Sequence, residues 1–311
     1  MARFDDQGVP ERGELDAISE LKVRIGTPRS GEVWIGDDMA VLHGPDTLMF
    51  ATDVAVEGVH FTTETGSPAD AGWKALAANL SDVAAMGGTP TAAVVALAGA
   101  DRSKLNALYD GILACAAEFD CPIVGGDLTG GAVLVISIAV VADGGPGEPV
   151  LRSGGRPGDR VFLTRATGAS GAGLRALLGD PRAAGGVVDA HRRPVPRLGE
   201  GRAARRGGAT AMIDVSDGLG LDLDRLCRAS GVGVVLDLVP VATGATLEDA
   251  LSGGEDYELV FTAPAPEDIA AEFTAAGLFV PIEIGQLVAD VDSRKIEGED
   301  FIPRGYLHNL G

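Results

Sequence analysis

The chain has 311 residues, enough for two domains that each bury a core. Hydrophobic residues at 46% and charged residues at 23% exclude a disordered chain or a fibrous repeat. Lys+Arg of 25 against Asp+Glu of 45 gives a net charge of −20, so no nucleic-acid partner is expected, and three cysteines without a CxxC pair exclude a disulfide framework or a zinc-ligand pattern.

The opening segment, MARFDDQGVPERGELD, lacks the apolar core of a secretory signal. The longest apolar run, residues 131–142 (GAVLVISIAVVA), falls short of the about 20 residues a membrane helix needs and reads as a buried strand. No membrane association and a cytoplasmic address are therefore expected. Along the first half, residues 47–52 (TLMFAT) read as a strand, 70–86 as a helix ended by Gly87-Gly88, and 91–98 as a strand. A helix over 105–119 and strands over 121–124 and 133–141 follow. The turn-rich Asp143-Gly144-Gly145-Pro146-Gly147 then marks a boundary, dividing the chain into residues 1–145 and 146–311.

The second half repeats the alternation, with strands over 160–164, 212–215 and 232–238 and helices over 170–178 and 219–230. A helix over 266–276, with acidic residues in its first turn, and an extended piece over 281–287 complete it. Residues 179–208, rich in Gly, Pro and Arg, read as partly mobile. Alternating strands and helices predict an α/β protein of α+β type.

Neither GxxxxGK[ST], HExxH nor GxSxG occurs, and His43, His60, His191 and His308 are too scattered for a zinc site. What recurs in both halves is carboxylates at element ends, often beside glycine. They are Gly36-Asp37-Asp38, Thr52-Asp53, Ser81-Asp82, Gly125-Gly126-Asp127, Asp214-Val215-Ser216-Asp217-Gly218 and Gly253-Gly254-Glu255-Asp256. One such motif alone is most simply a turn or a helix cap. Asp217-Gly218 can cap the helix at Leu219, and Asp82 can lie on a solvated helix face. Yet Asp82 interrupts an Ala-rich run where Asp is a poor helix former. Converging carboxylates need cations between them, and hard oxygen donors select Mg²⁺, Ca²⁺ or Mn²⁺. Because Mg²⁺ usually takes one or two carboxylates plus substrate phosphates, the pattern points to ATP and phosphoryl transfer.

These strings resemble the thiamine-monophosphate kinase family. The resemblance is carried by Trp34-Ile35-Gly36-Asp37-Asp38, Ala51-Thr52-Asp53, Glu57-Gly58-Val59-His60-Phe61, Asn79-Leu80-Ser81-Asp82-Val83-Ala84-Ala85-Met86-Gly87 and Val124-Gly125-Gly126-Asp127. Leu151-Arg152-Ser153-Gly154, Ile213-Asp214-Val215-Ser216-Asp217-Gly218 and Ser252-Gly253-Gly254-Glu255-Asp256-Tyr257-Glu258-Leu259 continue it in the same order. It implies a two-domain aminoimidazole ribonucleotide synthetase-like fold of mixed sheets flanked by helices, forming a homodimer with nucleotide bound across the N-terminal domains. It also implies ATP-dependent conversion of thiamine monophosphate to thiamine diphosphate with several Mg²⁺ ions. The implied metal ligands are Asp38, Thr52, Asp53, Asp82, Asp127, Asp214 and Asp217, with Asp82, Asp127 and Asp217 as the catalytic carboxylates. Gly126, Asp127, Arg152 and Ser216 would meet ATP, and His60 and Glu255 the thiamine phosphate, with Tyr306 a candidate to stack on a ring. Met39, Ala51 and Leu128 depart from the family pattern, and none of these departures removes a carboxylate. Selenophosphate synthetase would need an N-terminal reactive Cys, and the first Cys here is Cys115. The hydrogenase-maturation relative would end in a Cys-bearing tail, which is absent. The alternatives that stay open are an aminoimidazole ribonucleotide synthetase-like enzyme and a non-catalytic nucleotide- or cation-binding relative.

Overall fold

The computed structural model describes residue 31, the backbone of residues 40–42 and 102–103, and residues 47–100 and 104–308. The first half runs β1 (Ala40–Leu42), β2 (Leu48–Val56), α1 (Pro68–Ala85), β3 (Thr89–Ala98), α2 (Arg102–Glu118), β4 (Ile123–Thr129) and β5 (Val135–Asp143). Its strands form one sheet in the order β1-β2-β5-β3-β4, parallel only between β3 and β4.

Helix α1 starts where Ser67 and Asp70 form a capping box and Pro68 occupies the first turn, so its exposed N–H groups are satisfied locally. Its alanine-rich sequence is buried around most of its circumference, which lets α1 lie between the two halves of the molecule. Backbones of α1 and α2 nearly touch: a Cβ at Gly111 would sit 1.8 Å from the Ala69 carbonyl oxygen, so only glycine fits there. These helices cover one face of the sheet. The other face leaves Leu48, Phe50, Val54 and Val94 exposed.

The second half runs β6 (Arg160–Leu163), α3 (Ala169–Gly179), α4 (Gly186–Arg192), α5 (Leu198–Arg206), β7 (Ala211–Asp214), α6 (Leu219–Ser230), β8 (Gly233–Leu236), α7 (Leu247–Ser252), β9 (Leu259–Ala263), α8 (Pro266–Ala275), β10 (Ile282–Val288), β11 (Arg294–Ile296) and β12 (Glu299–Asp300). Its seven strands pair in the order β12-β11-β8-β10-β6-β9-β7. Two mixed sheets flanked by helices are the α+β architecture expected from the alternation of elements. One hydrophobic core crosses both halves, joining Leu76, Leu80 and Val83 of α1 to Phe162, Met212, Phe261 and Phe273. A second core packs Leu223 and Leu226 of α6 against Val234 and Ile284.

Residues 179–208 carry α4 and α5 after an irregular stretch over 180–185, and several of their arginines are held by fixed partners. Arg197 donates to Glu258 at 2.9 Å in a largely buried ion pair, while Arg205 donates to the carbonyls of Gly144, Pro146 and Gly147 in the connection between the halves. Arginine-rich composition reads as solvent-exposed, but fixed carbonyls and a buried carboxylate satisfy these guanidinium groups instead.

Candidate active site

The site is built where α1 faces the end of β7. Ser81 on α1 donates a 2.6 Å hydrogen bond to Asp214, the last residue of β7, joining the two halves through a fully buried hydroxyl. Asp82 is the next residue of α1. Asp53 shares a face of β2 with Met49 and Ala51, the face on which α1 packs, because side chains alternate along an unbroken strand register.

Convergence of these groups registers on Tyr257. Its ring is buried, and its hydroxyl is pushed well above the ordinary phenol range, first by burial and then by the negative charges of Glu255, Asp53, Asp214 and Asp82. Four carboxylates from β2, α1, β7 and the loop before β9 thus act on one buried phenol, which stays neutral in their field.

That loop, residues 253–257, is forced into shape by left-handed backbone: φ is +66° at Gly254, +55° at Glu255 and +51° at Tyr257. Its N–H groups are taken by the neighbouring segment, Glu255 N–H by the Ser216 carbonyl at 2.7 Å and Tyr257 N–H by the Val215 carbonyl at 2.9 Å. A Cβ at Gly254 would lie 2.8 Å from the Ser216 carbonyl oxygen, so glycine there permits the approach. Each acidic residue over positions 255–258 has a separate task. Asp256 accepts from Gly168 N–H at 2.6 Å and Ser170 N–H at 3.0 Å, capping α3 from a distance, and burial lifts its carboxyl to about 6. Glu258 accepts from Arg197 and from the Thr164 hydroxyl at 2.6 Å. Glu255 alone turns toward the cleft, where it accepts from Lys74 Nζ at 2.8 Å.

The loop holding Asp217 is fixed from below. The fully buried Asp222 accepts the N–H groups of Asp217 at 2.9 Å and Gly218 at 3.1 Å, and Arg225 donates to both Asp217 and Asp222. The chain's last described segment crosses this loop, with Tyr306 N–H donating to the Asp217 carbonyl at 3.0 Å. The Tyr306 ring meets the His308 ring edge-on at 4.8 Å between centroids, and His308 in turn lies 4.9 Å from His60. His60 Nδ1 accepts the Val56 N–H at 3.1 Å, so the neutral ring carries its proton on Nε2. Burial, then the charge of His308, lowers the pKa of His60 below the usual imidazole value.

Other predicted residues lie elsewhere. Thr52 neighbours Asp53 on a regular strand and so projects from the opposite face; its hydroxyl donates to the Ile138 carbonyl at 2.9 Å. Gly126 and Asp127 are on the edge strand β4. Asp127 aligns through Ala96 and Ser137 with Val54 on the uncovered face, about 14 Å across three strand spacings. Arg152 follows the connection between halves, where its carbonyl accepts the Ser230 hydroxyl at 3.0 Å. Ser216 lends its carbonyl to Glu255, as above, and Asp38 lies outside the described residues. Lys74, His191 and Tyr257 were not foreseen as site residues. The one signal for Lys74 was a cation in the middle of a helix otherwise patterned for burial.

Among the described residues, no group of three or more His, Cys, Asp or Glu side chains closes to metal-holding distance. A donor set of separated carboxylates suits Mg²⁺, which binds through one or two of them and completes its shell with water and phosphate oxygens.

The family model for "AIR synthase related protein, N-terminal domain" matches residues 36–143, and that for the C-terminal domain matches residues 156–296. The chain is 38% identical to a thiamine-monophosphate kinase of Salmonella typhimurium, over 94% of each chain. It is 35% identical to that of Bacillus subtilis, over 95% of this chain and 99% of the other. Among solved structures, AaThiL complexed with AMPPCP and TMP superposes with a TM-score of 0.84 at 30% identity, covering 95% of this chain and 97% of that one.

Proposed function

The chain belongs to the thiamine-monophosphate kinase family, and we propose that the carboxylate cleft is where it carries out that family's reaction, ATP-dependent phosphorylation of thiamine monophosphate to thiamine diphosphate. The observation that carries this reading is the buried Tyr257, whose hydroxyl is held above the phenol range by burial and by the charges of Glu255, Asp53, Asp214 and Asp82, acidic groups of both halves of the chain.

The acceptor is an ionised phosphate, so the reaction needs no strong general base. Its difficulty lies in bringing two anions together in line, and we assign direct transfer without a phospho-enzyme. Mg²⁺, when bound, neutralises the phosphates and stabilises the charge on the transferring group. Asp53, Asp82 and Asp214 would hold it in the cleft, Asp217 would extend the set from its Asp222-anchored loop, and Asp38 is carried by the resemblance. His60, with its Nε2–H directed away from Val56, would donate a hydrogen bond to the thiamine phosphate. Tyr306 would pack beside it through His308. Gly126, Asp127, Arg152 and Ser216 would contact ATP.

Thr52 and Asp127 belong, in this reading, to metal and nucleotide contacts made where two copies meet. The uncovered apolar face on which they lie supports a homodimer, since its exposed Leu48, Phe50 and Val54 have no helix of their own to cover them. The same reading divides the chain at residues 1–145 and 146–311, supported by one sheet on each side of the turn-rich connection. A cytoplasmic address fits the substrates, and among the described residues no helix is long and apolar enough to cross a membrane.

The test is purified protein with ATP, Mg²⁺ and thiamine monophosphate, assayed for thiamine diphosphate and ADP. Stoichiometric formation of both supports the reading. ATP binding without product would instead assign a nucleotide-binding role.

A further inference from the structure

Lys74, His191 and Glu255 form a compact group, and the reaction as described above leaves Lys74 and His191 without a role. They come from α1, α4 and the left-handed loop, so both halves of the chain contribute. Lys74 Nζ lies 2.8 Å from Glu255 Oε2 and 3.4 and 3.5 Å from the two ring nitrogens of His191. His191 Nδ1 is 3.1 Å from the Ser170 hydroxyl and 3.5 Å from the same Glu255 oxygen. Lys74 and His191 are both buried, whereas the Glu255 side chain keeps 28% of its surface. Beside them opens a crevice lined by Phe61, Thr65, Asp70, Lys74 and His191. Among the described residues, Glu255 Oε1 accepts no hydrogen bond.

A lysine buried in the middle of a helix is costly unless its charge is met, and among the described residues the only carboxylate bonded to it is Glu255. The result is a neutralised pair with one oxygen held and one presented. Thiamine phosphate offers that oxygen three kinds of group. An ionised phosphate has no proton to donate to an acceptor oxygen. The thiazolium cation gains little from a carboxylate already neutralised by Lys74. The exocyclic amino group of the pyrimidine, an uncharged N–H donor, is the group for which a fixed acceptor oxygen is specific.

We propose that Lys74 and His191 are positioning residues that fix Glu255 so that its Oε1 accepts a hydrogen bond from the pyrimidine amino group of thiamine monophosphate. This rests on the reading that Glu255 faces the substrate. Lys74 supplies the charge that anchors Oε2, and His191, held by Ser170, walls the pair on the other side so that the carboxylate cannot rotate away.

The experiment compares thiamine monophosphate with its 4-oxo analogue, in which oxygen replaces that amino group, in the wild type and in Lys74→Met, Lys74→Arg and Glu255→Gln. A hydrogen bond to a charged acceptor is worth about tenfold or more, so wild type is expected to favour the amino substrate by at least that factor in kcat/KM. Lys74→Met is expected to raise the KM for thiamine monophosphate about tenfold and to abolish most of the discrimination, with the KM for ATP within about twofold of wild type. Lys74→Arg is expected to restore part of the discrimination. If Glu255→Gln leaves both the KM for thiamine monophosphate and the discrimination unchanged, the underlying reading of Glu255 fails. If Glu255→Gln loses discrimination while Lys74→Met keeps it, the positioning role of Lys74 is overturned. His191→Gln, measured the same way, decides the matter should Lys74→Met not fold: loss of discrimination supports the proposal, and unchanged discrimination overturns it.

Discussion

Asp53 and Thr52 are neighbours in β2, yet they serve opposite faces of the sheet. Asp53 looks inward, toward α1 and the cleft it forms with Asp82 and Asp214, where a buried phenol feels all three charges. Thr52 looks outward with Asp127 over a surface where Leu48, Phe50 and Val54 lie exposed. A string of adjacent motif residues therefore names two surfaces, and strand periodicity decides which residue goes to which. The inner face draws its carboxylates from both halves of one chain. The outer face is half of an arrangement that we assign to a second copy.

The sharpest way to break this comparison is to remove one inner carboxylate. Asp82→Asn keeps shape and removes charge; kcat/KM is expected to fall about a thousandfold or more with the melting temperature little changed. Steady-state kinetics alongside thermal denaturation checks this, and near-normal turnover would return Asp82 to a plain helix position. On the outer face, Val54→Lys places a charge at the expected dimer interface. Dimer dissociation is expected to strengthen by about a hundredfold, since an unpaired buried charge costs several kcal/mol, and light scattering across a dilution series reads it.

Acid sharpens the comparison further, because the histidine beside Glu255 is buried. Burial, then the charge of Lys74, lowers the pKa of His191 to about 4, against 6.5 in an unfolded chain. Between those values the unfolded chain takes up a proton that the folded chain refuses, so this contribution to stability is complete above pH 6.5 and declines as pH falls toward 4. The loss is about 3 kcal/mol. Asp256, with its carboxyl raised to about 6, works in the opposite direction over part of this window, losing stability as pH rises. Comparing wild type with His191→Gln by denaturant titration at several pH values isolates the histidine; identical pH slopes would contradict its burial in neutral form. The smallest effect is expected one residue from Glu255. Asp256→Ala removes the distant cap on α3 and should cost about 1 kcal/mol of stability, with the KM for ATP unchanged.

Much of the fold was legible because local chemistry and burial agree. Helix α6 occupies the residues expected from its pattern, and α8 ends within a residue of expectation. Strand β9 was hidden because it is five residues long and begins at Leu259, directly after a string of acidic and glycine residues that reads as loop. Helices α4 and α5 were hidden for the opposite reason: their Gly, Pro and Arg content suggests exposure, and only tertiary partners such as Glu258 explain it. In the site, Asp82 was visible as an acid in an alanine-rich helix. The link from Lys74 to His191 and Glu255 was not visible, since it joins residues far apart in the chain, and no local pattern encodes which distant carboxylate meets a buried cation.

That oxygen donors from both halves of the chain meet at one metal site is tested most directly by anomalous diffraction. Crystals would be grown with Mn²⁺ in place of Mg²⁺, a non-hydrolysable ATP analogue and thiamine monophosphate. Anomalous peaks in contact with Asp53, Asp82 and Asp214 are the predicted result; peaks only elsewhere, with those three carboxylates bound to protein groups alone, would contradict it.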